Sequence, residues 1–362
     1  MRILVTGASG FIGAHIAARL AAAGAEVRGF CRSEPPPHAN VADWVAGDVT
    51  DPAAVALATV GCDAVVHTAA LYSYRRSEAA RMHAVNVGGT RNVLDAAARA
   101  GTRRLVFTSS SATCGPVHGR AATERDAPPA WELQVPYKRT KLAAERLVLR
   151  ASGDRLEALC VNPTTVVGAQ DRAPTPSGKM VSDLVEGRIA AYLLGAGINV
   201  VAVDDVAAGH VMALEHGRPG QRYILGGEDL NLREAFGLAL APLGRRPPWL
   251  GLPWPLVYAA AVAADRVGRA TRREPTLLML DEVRLSRQPL FFSSAKAATE
   301  LGYAARPAAE ALAAATGWFA DRQREASAGA TPAAAVRWWR GQSVRTYVRN
   351  YVGRLPRRIG TD

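Results

Sequence analysis

The chain opens on Met1-Arg2-Ile3-Leu4-Val5-Thr6-Gly7-Ala8-Ser9-Gly10-Phe11-Ile12-Gly13. Met1 to Gly7 reads as a buried strand, and the glycine-spaced segment after it opens a helix. Such a turn needs glycines so that backbone N–H groups can approach a pyrophosphate at the helix N-terminus. Taken alone, the same spacing also describes any tight strand-to-helix turn.

Outward from this turn, strand and helix alternate up to residue 168, which argues for a doubly wound parallel α/β sheet. Strands are expected at Arg2–Thr6, Glu26–Cys31, 44–46, Ala64–His67, from Leu105, and at 156–161. Helices are expected over 11–23, ending near Gly24, and over about 81–100, ending at Gly101, a good C-cap. Thr50 or Asp51 can cap the helix that follows the third strand. From Pro174 the pattern breaks up, and a smaller substrate lobe begins. Residues 198–203 are read as a seventh strand returning to the main sheet, with 220–225 and the residues from 229 onward in the lobe. The division expected is therefore 1–168 with 198–215 for the nucleotide-binding domain, 169–197 and 216–325 for the lobe, and 331–362 as a tail.

A length of 362 residues with 49% apolar content suits two such units and a sizeable core. Cys31, Cys62, Cys114 and Cys160 are isolated, so reduced thiols and a cytoplasmic setting are expected. No signal peptide is expected before the fold, because Met1 already adjoins the first strand. The seven histidines (His15, His38, His67, His83, His118, His210, His216) form no cluster with Cys or carboxylates, and no metal site is assigned. Residues 249–264 are apolar but carry Pro253 and Pro255, and only 256–264 is unbroken before Asp265, far short of the ~20 residues of a membrane span. A buried helix bordering the substrate pocket is expected there.

Further along stand Leu105-Val106-Phe107-Thr108-Ser109-Ser110-Ser111, an apolar strand ending in hydroxyls, and Tyr137-Lys138-Arg139-Thr140-Lys141. A Tyr and Lys at i, i+4 share one helix face. Tyrosine is a poor base at neutral pH, its reference pKa being about 10, and an adjacent ammonium would lower that value. At the end of the second strand, Gly29-Phe30-Cys31-Arg32-Ser33 has no carboxylate for ribose hydroxyls, whereas Arg32 can accommodate a 2′-phosphate. NADP is therefore favoured, with NAD the alternative.

With Val65-Val66-His67-Thr68-Ala69-Ala70, Asn86-Val87-Gly88-Gly89-Thr90 and Asn162-Pro163-Thr164-Thr165-Val166-Val167-Gly168, these segments make the chain resemble the extended short-chain dehydrogenase/reductases of the NAD-dependent epimerase/dehydratase family. Pro174-Thr175-Pro176-Ser177-Gly178-Lys179, Val203-Asp204-Asp205-Val206-Ala207 and Phe292-Ser293-Ser294-Ala295-Lys296 look most like the hopanoid-associated sugar epimerases, a branch close to dihydroflavonol-4-reductase-like proteins. The resemblance covers about residues 1–320 and implies a Rossmann-type domain. It implies catalytic Ser110, Tyr137 and Lys141, with Ser111 the neighbour to be tested second. By the same resemblance Lys141 also holds the nicotinamide ribose. Cofactor contacts are implied at Gly7, Gly10, Phe11, Ile12, Gly13, Asp48, Val49, Ala69 and Pro163, beside Arg32, Tyr137 and Lys141. Asn86 would support the active-site strand, Asp204 and Asp205 would cap a helix, and His67 would pack at the end of the fourth strand without a catalytic part.

Three functional readings follow. The first is an NADP-preferring reductase or dehydrogenase acting on a carbonyl or secondary alcohol of an apolar or lipid-linked small molecule. The second is a nucleotide-sugar epimerase with tightly held NAD. The third is a redox-sensing protein that keeps the cofactor fold without catalysis. Dehydratases of this superfamily commonly place Thr-Asp-Glu where this chain has Thr108-Ser109-Ser110-Ser111-Ala112-Thr113, which counts against dehydration. A homodimer is implied, pairing the helix from about Arg81 and the Tyr137 helix with their copies. The formal charge of +12 is partly local: Arg337, Arg340, Arg345, Arg349, Arg354, Arg357 and Arg358 crowd the tail. No nucleic-acid partner is assigned. Val344, Tyr347, Val348, Tyr351, Val352 and Leu355 form one apolar stripe on a basic helix, so 337–358 either contacts a membrane surface peripherally or packs on protein.

Overall fold

A computed structural model of the chain describes residues 1–271 and 279–328. The basic tail and its apolar stripe lie outside the described residues.

Ile3, Leu4 and Val5 are all fully buried, because β1 (Arg2–Thr6) is covered on both faces. That explains why the strand reads as a continuous apolar run rather than an alternating one. Around it assemble β2 (Glu26–Cys31), β3 (Asp43–Ala46), β4 (Ala64–His67), β5 (Arg104–Thr108) and β6 (Glu157–Pro163). Between these strands run α1 (Phe11–Ala22), α2 (Pro52–Thr59), α3 (Ala79–His83), α4 (Gly89–Ala100) and α5 (Pro136–Ala151). Then come β7 (Thr165–Val167), α6 (Pro176–Val185), β8 (Ala191–Leu193), β9 (Gly197–Ala202), α7 (Val203–His216), β10 (Arg222–Leu225) and β11 (Glu228–Asn231). The described chain ends with α8 (Leu232–Leu240), β12 (Leu250–Leu252), α9 (Trp254–Thr271), α10 (Leu280–Leu285), α11 (Ala295–Leu301) and α12 (Ala308–Ala328).

The main sheet has seven strands in the order β10-β6-β5-β4-β1-β2-β3, and every adjacent pair is parallel. Ile3 and Val5 face one side with Ile16 and Leu20 of α1 and Val206 and Leu214 of α7. Leu4 faces the other with Val55 of α2, Val93 of α4 and Val148 of α5. This is a doubly wound Rossmann-type sheet, as the alternation of elements predicts. The smaller lobe joins β7, β9 and β11 in a three-stranded sheet under α6, α8 and α12.

Two expectations are corrected. The seventh strand of the main sheet is β10, not 198–203; β9 pairs with β7 and β11 instead. Only Thr164 separates β6 from β7, so the chain leaves the main sheet there and β9 follows it out, before α7 returns the chain to β10. Nor is α9 a buried helix: Ala261 alone is buried, while Leu256 and Val267 are 58% and 61% exposed. Its apolar positions are spread around the helix, and only one narrow strip meets Leu280 and Val283 of α10. Among the described residues no helix is long and apolar enough to cross a membrane.

Candidate active site

The parallel strands bring the C-terminal ends of β1, β2, β4, β5 and β6 to one edge, where open α/β sheets bind ligands. At β1, Gly7 has φ +74°, a conformation that favours glycine. A Cβ on Gly13 would come 2.2 Å from the Gly7 carbonyl oxygen, so the first helical turn packs against the turn before it only without a side chain. Gly10 N donates to Gly7 O at 2.8 Å and fixes the turn. The α1 N-terminus has no side-chain cap, unlike α2, α6 and α8, which are capped by Asp51, Thr175 and Asn231. The first N–H groups of α1, at Phe11, Ile12 and Gly13, have no partner inside the helix and suit an anion such as a pyrophosphate.

Arg32 is exposed just beyond β2. Asp48 is half-buried, and its Oδ1 accepts from Thr50 N at 3.0 Å and Thr50 Oγ1 at 2.9 Å, so it closes its own loop and keeps the other oxygen available. Val49 is buried against Gly89, and its carbonyl accepts from Asn92 Nδ2 at 2.9 Å. Ala69 N donates to Thr6 Oγ1 at 3.2 Å, which holds the end of β4 against β1. Pro163 is buried at the end of β6. These residues line the edge on which the glycine turn stands.

At the end of β5, burial pushes the Tyr137 phenol up to about 12, and the neighbouring Ser110 hydroxyl opposes that in part. Ser110 Oγ accepts from Ala112 N at 3.2 Å. Lys141 is 2% exposed, and burial lowers its ammonium to about 8. Lys141 Nζ donates to Thr108 O at 2.6 Å and lies 4.4 Å from the Phe107 ring centroid. Tyr137 and Lys141, four residues apart on α5, share one helix face.

Asn86 plays a different part from the one expected. It sits in a π-helical turn, Ala84–Gly88, of the kind often found at functional sites. Its side chain bonds both backbone groups of Leu71 (2.7 and 2.9 Å) and donates to Thr140 Oγ1 at 3.1 Å. It thereby clamps the loop after β4 to α5 rather than supporting a strand. His67 shares hydrogen bonds with Thr6 Oγ1 at 2.7 Å and Thr90 Oγ1 at 3.0 Å, and burial depresses it to about 3. Asp205 pairs with Arg306 at 2.8 Å and so ties the start of α7 to the chain beyond α11.

Sequence reading passed over Tyr72 and Tyr74. The Tyr72 ring meets the Tyr137 ring edge-on at 4.1 Å, and its hydroxyl donates to Tyr74 Oη at 2.7 Å. Arg76 then links this loop to Asp265 and Asp281 of the smaller lobe at 3.8 and 3.5 Å. Two aromatics directly after Ala69-Ala70-Leu71 were a usable signal. The four cysteines are free and buried, and burial raises each thiol, so none is poised as a nucleophile. Among the described residues no three His, Cys, Asp or Glu side chains gather as a metal site.

Residues 3–226 match the NAD dependent epimerase/dehydratase family, and the chain belongs to it. It is 35% identical over 323 residues to a protein of Synechocystis sp. named putative dihydroflavonol 4-reductase, covering 87% of this chain and 93% of that one. It is 32% identical over 327 residues to sterol demethylase protein B of Methylococcus capsulatus, covering 89% and 99%. The crystal structure of gox2253 superposes with a TM-score of 0.77 at 38% identity, covering 89% of this chain and 98% of that one. The protein is thus an NAD(P)-dependent enzyme of the epimerase/dehydratase family.

Proposed function

We propose that this enzyme is an NADP-preferring reductase or dehydrogenase, moving hydride to or from a carbonyl or secondary alcohol of an apolar, ring-containing or lipid-linked substrate. The observation that carries this reading is Arg32, an exposed guanidinium at the end of β2 where an NAD-preferring fold places a carboxylate. The 7–13 turn would hold the pyrophosphate, and Asp48, Val49, Ala69 and Pro163 would flank the rest of the dinucleotide. The bound nicotinamide supplies the hydride donor or acceptor.

Tyr137 gives its phenolic proton to the oxygen of a carbonyl being reduced and recovers one in the reverse direction. A phenol held at about 12 carries its proton at neutral pH, which suits the reductive direction. Ser110 bonds the same reacting oxygen and stabilises charge developing on it. Lys141, which donates to Thr108 O, would hold the nicotinamide ribose hydroxyls. Tyr72 and Tyr74 supply an aromatic wall next to Tyr137, and the dihydroflavonol and sterol in the relatives' names support a flat apolar substrate.

Purified protein should oxidise NADPH faster than NADH with a sterol-like or flavonoid-like ketone. Tightly co-purified NAD, with interconversion of a nucleotide sugar and no net cofactor turnover, would establish the epimerase reading instead. A homodimer is part of the proposal: α4 and α5 lie side by side and present Arg91, Asp95, Arg139 and Arg146 outward, both charge signs on one face. Light scattering that gives a monomer at micromolar concentration refutes it.

A further inference from the structure

Behind Ser110 and Tyr137 lies a polar cluster that the proposed chemistry leaves unused. Its centre is Glu145, one helical turn beyond Lys141 on α5 and 1% exposed. Glu145 Oε2 accepts from Ser109 Oγ at 2.6 Å, Thr113 Oγ1 at 2.8 Å and Asn162 Nδ2 at 2.6 Å, and Oε1 accepts from Arg222 Nη1 at 2.8 Å. Donors from the end of β5, the turn after it, β6 and β10 therefore converge on one side chain of the helix that carries Tyr137. Asn162 Nδ2 also reaches Ser110 O at 3.1 Å, and Thr113 Oγ1 lies 2.9 Å from the same carbonyl. Thr113 has one proton to give, and the carboxylate oxygen is the stronger acceptor. Both residues nevertheless contact the Ser110 backbone while bonded to Glu145.

Two details argue that this cluster does more than fill space. Asn162 Oδ1 is buried without a partner, so the amide is held facing Glu145 although its own acceptor goes unmet. Arg222 is fixed in turn by Glu124 O at 2.8 Å and Asp126 O at 2.7 Å, so the cluster is anchored at its far end as well.

We propose that Glu145 is a positioning residue of the reaction: it sets the 109–113 turn so that Ser110 meets Tyr137, and it places a negative charge behind Lys141. This rests on the Ser110–Tyr137–Lys141 reading. The titratable groups that act on Lys141 are Glu145 on α5, His67 on β4 and Cys160 on β6; Arg222 on β10 and Cys114 face Glu145 from behind. Burial lowers the Lys141 ammonium, and Glu145 opposes that most strongly, so removing its charge should lower Lys141 further.

The test compares Glu145→Gln, Ser109→Ala and Tyr137→Phe in the full chain. The chain has only four lysines, Lys138, Lys141, Lys179 and Lys296, so side-chain NMR can follow Lys141 in cofactor-free protein, assigned by Lys141→Arg. In folded Glu145→Gln the Lys141 titration should move down by about one pH unit or more. NADPH affinity should stay within about 3-fold of wild type, while kcat for a ketone that wild type reduces should fall about 10- to 100-fold. A folded variant with an unmoved Lys141 titration and wild-type kcat overturns the inference, since a purely structural residue would change only the melting temperature. If Glu145→Gln does not fold, Ser109→Ala decides: it removes one arm and should lower kcat about 3- to 10-fold with NADPH affinity retained. Unchanged kcat there also overturns the inference. Full activity in Tyr137→Phe would instead sink the underlying three-residue reading.

Discussion

At the β1–α1 turn the chain leaves polar groups unpaired, whereas at the ends of β5 and β6 it pairs almost every one. The first region is made of backbone: Gly7, Gly10 and Gly13 remove side chains, and the α1 N-terminus has no side-chain cap. The second is made of side chains from four elements, with Glu145 alone receiving four hydrogen bonds. A surface meant for an anion that arrives from outside must keep its donors open. A surface meant to hold two hydroxyls at a fixed spacing must commit its donors internally. The first arrangement constrains local sequence tightly, and the second constrains residues far apart in the chain.

The largest test of the side-chain region is Tyr137→Phe. It removes the proton but keeps the ring, and turnover should fall by about 10²- to 10⁴-fold while cofactor affinity stays near normal. Lys141→Ala should harm both, because Lys141 serves the ribose as well. Cofactor titrations and single-turnover rates separate the two outcomes, and strong activity in Tyr137→Phe would break the contrast between regions.

Arg32→Asp tests the backbone region at its outer end. A charge-assisted contact to a phosphate contributes about 1.5–3 kcal/mol, or roughly 10- to 100-fold in affinity, so the preference should swing from NADP towards NAD. Tighter binding of NAD than NADP by the unaltered protein would show that Arg32 is simply solvated.

Gly13→Ala should weaken cofactor binding and lower stability by about 1–3 kcal/mol, because the new Cβ would press on backbone rather than on a movable side chain. A variant that melts and binds like wild type would mean that the turn yields, and that its glycines are not there for close approach.

The smallest effect concerns the buried histidines beside the site. His67 and His210 are held at about 3 and about 4 by burial, against about 6.5 when unfolded. Their folded values are depressed, so the stability they confer is present above pH 6.5 and is lost as pH falls towards 4. Each adds up to ~1.4 kcal/mol per pH unit to that slope. Urea unfolding between pH 4.5 and 7 should show a shallower slope in His67→Gln; an identical slope would indicate that His67 is not buried neutral.

The glycine turn, the alternation of strand and helix, a cap for α2 at Thr50 or Asp51 (the structure selects Asp51) and Gly101 at the end of α4 were legible because each is a local demand on a few adjacent residues. The Tyr137–Lys141 spacing was legible for the same reason, since a helix face repeats every turn. Local pattern could not say which strand β10 or β9 would pair with, because both present apolar runs that suit either sheet. It could not place Lys141 on the Thr108 carbonyl, Tyr72 against Tyr137, or Arg222 on Glu145, which stand 33, 65 and 77 residues apart. Nor could it reveal that α9 would stay largely exposed. Periodicity determines which face of an element is apolar, whereas the neighbour that covers the face, and the partner a long side chain reaches, are decided only when the layers close.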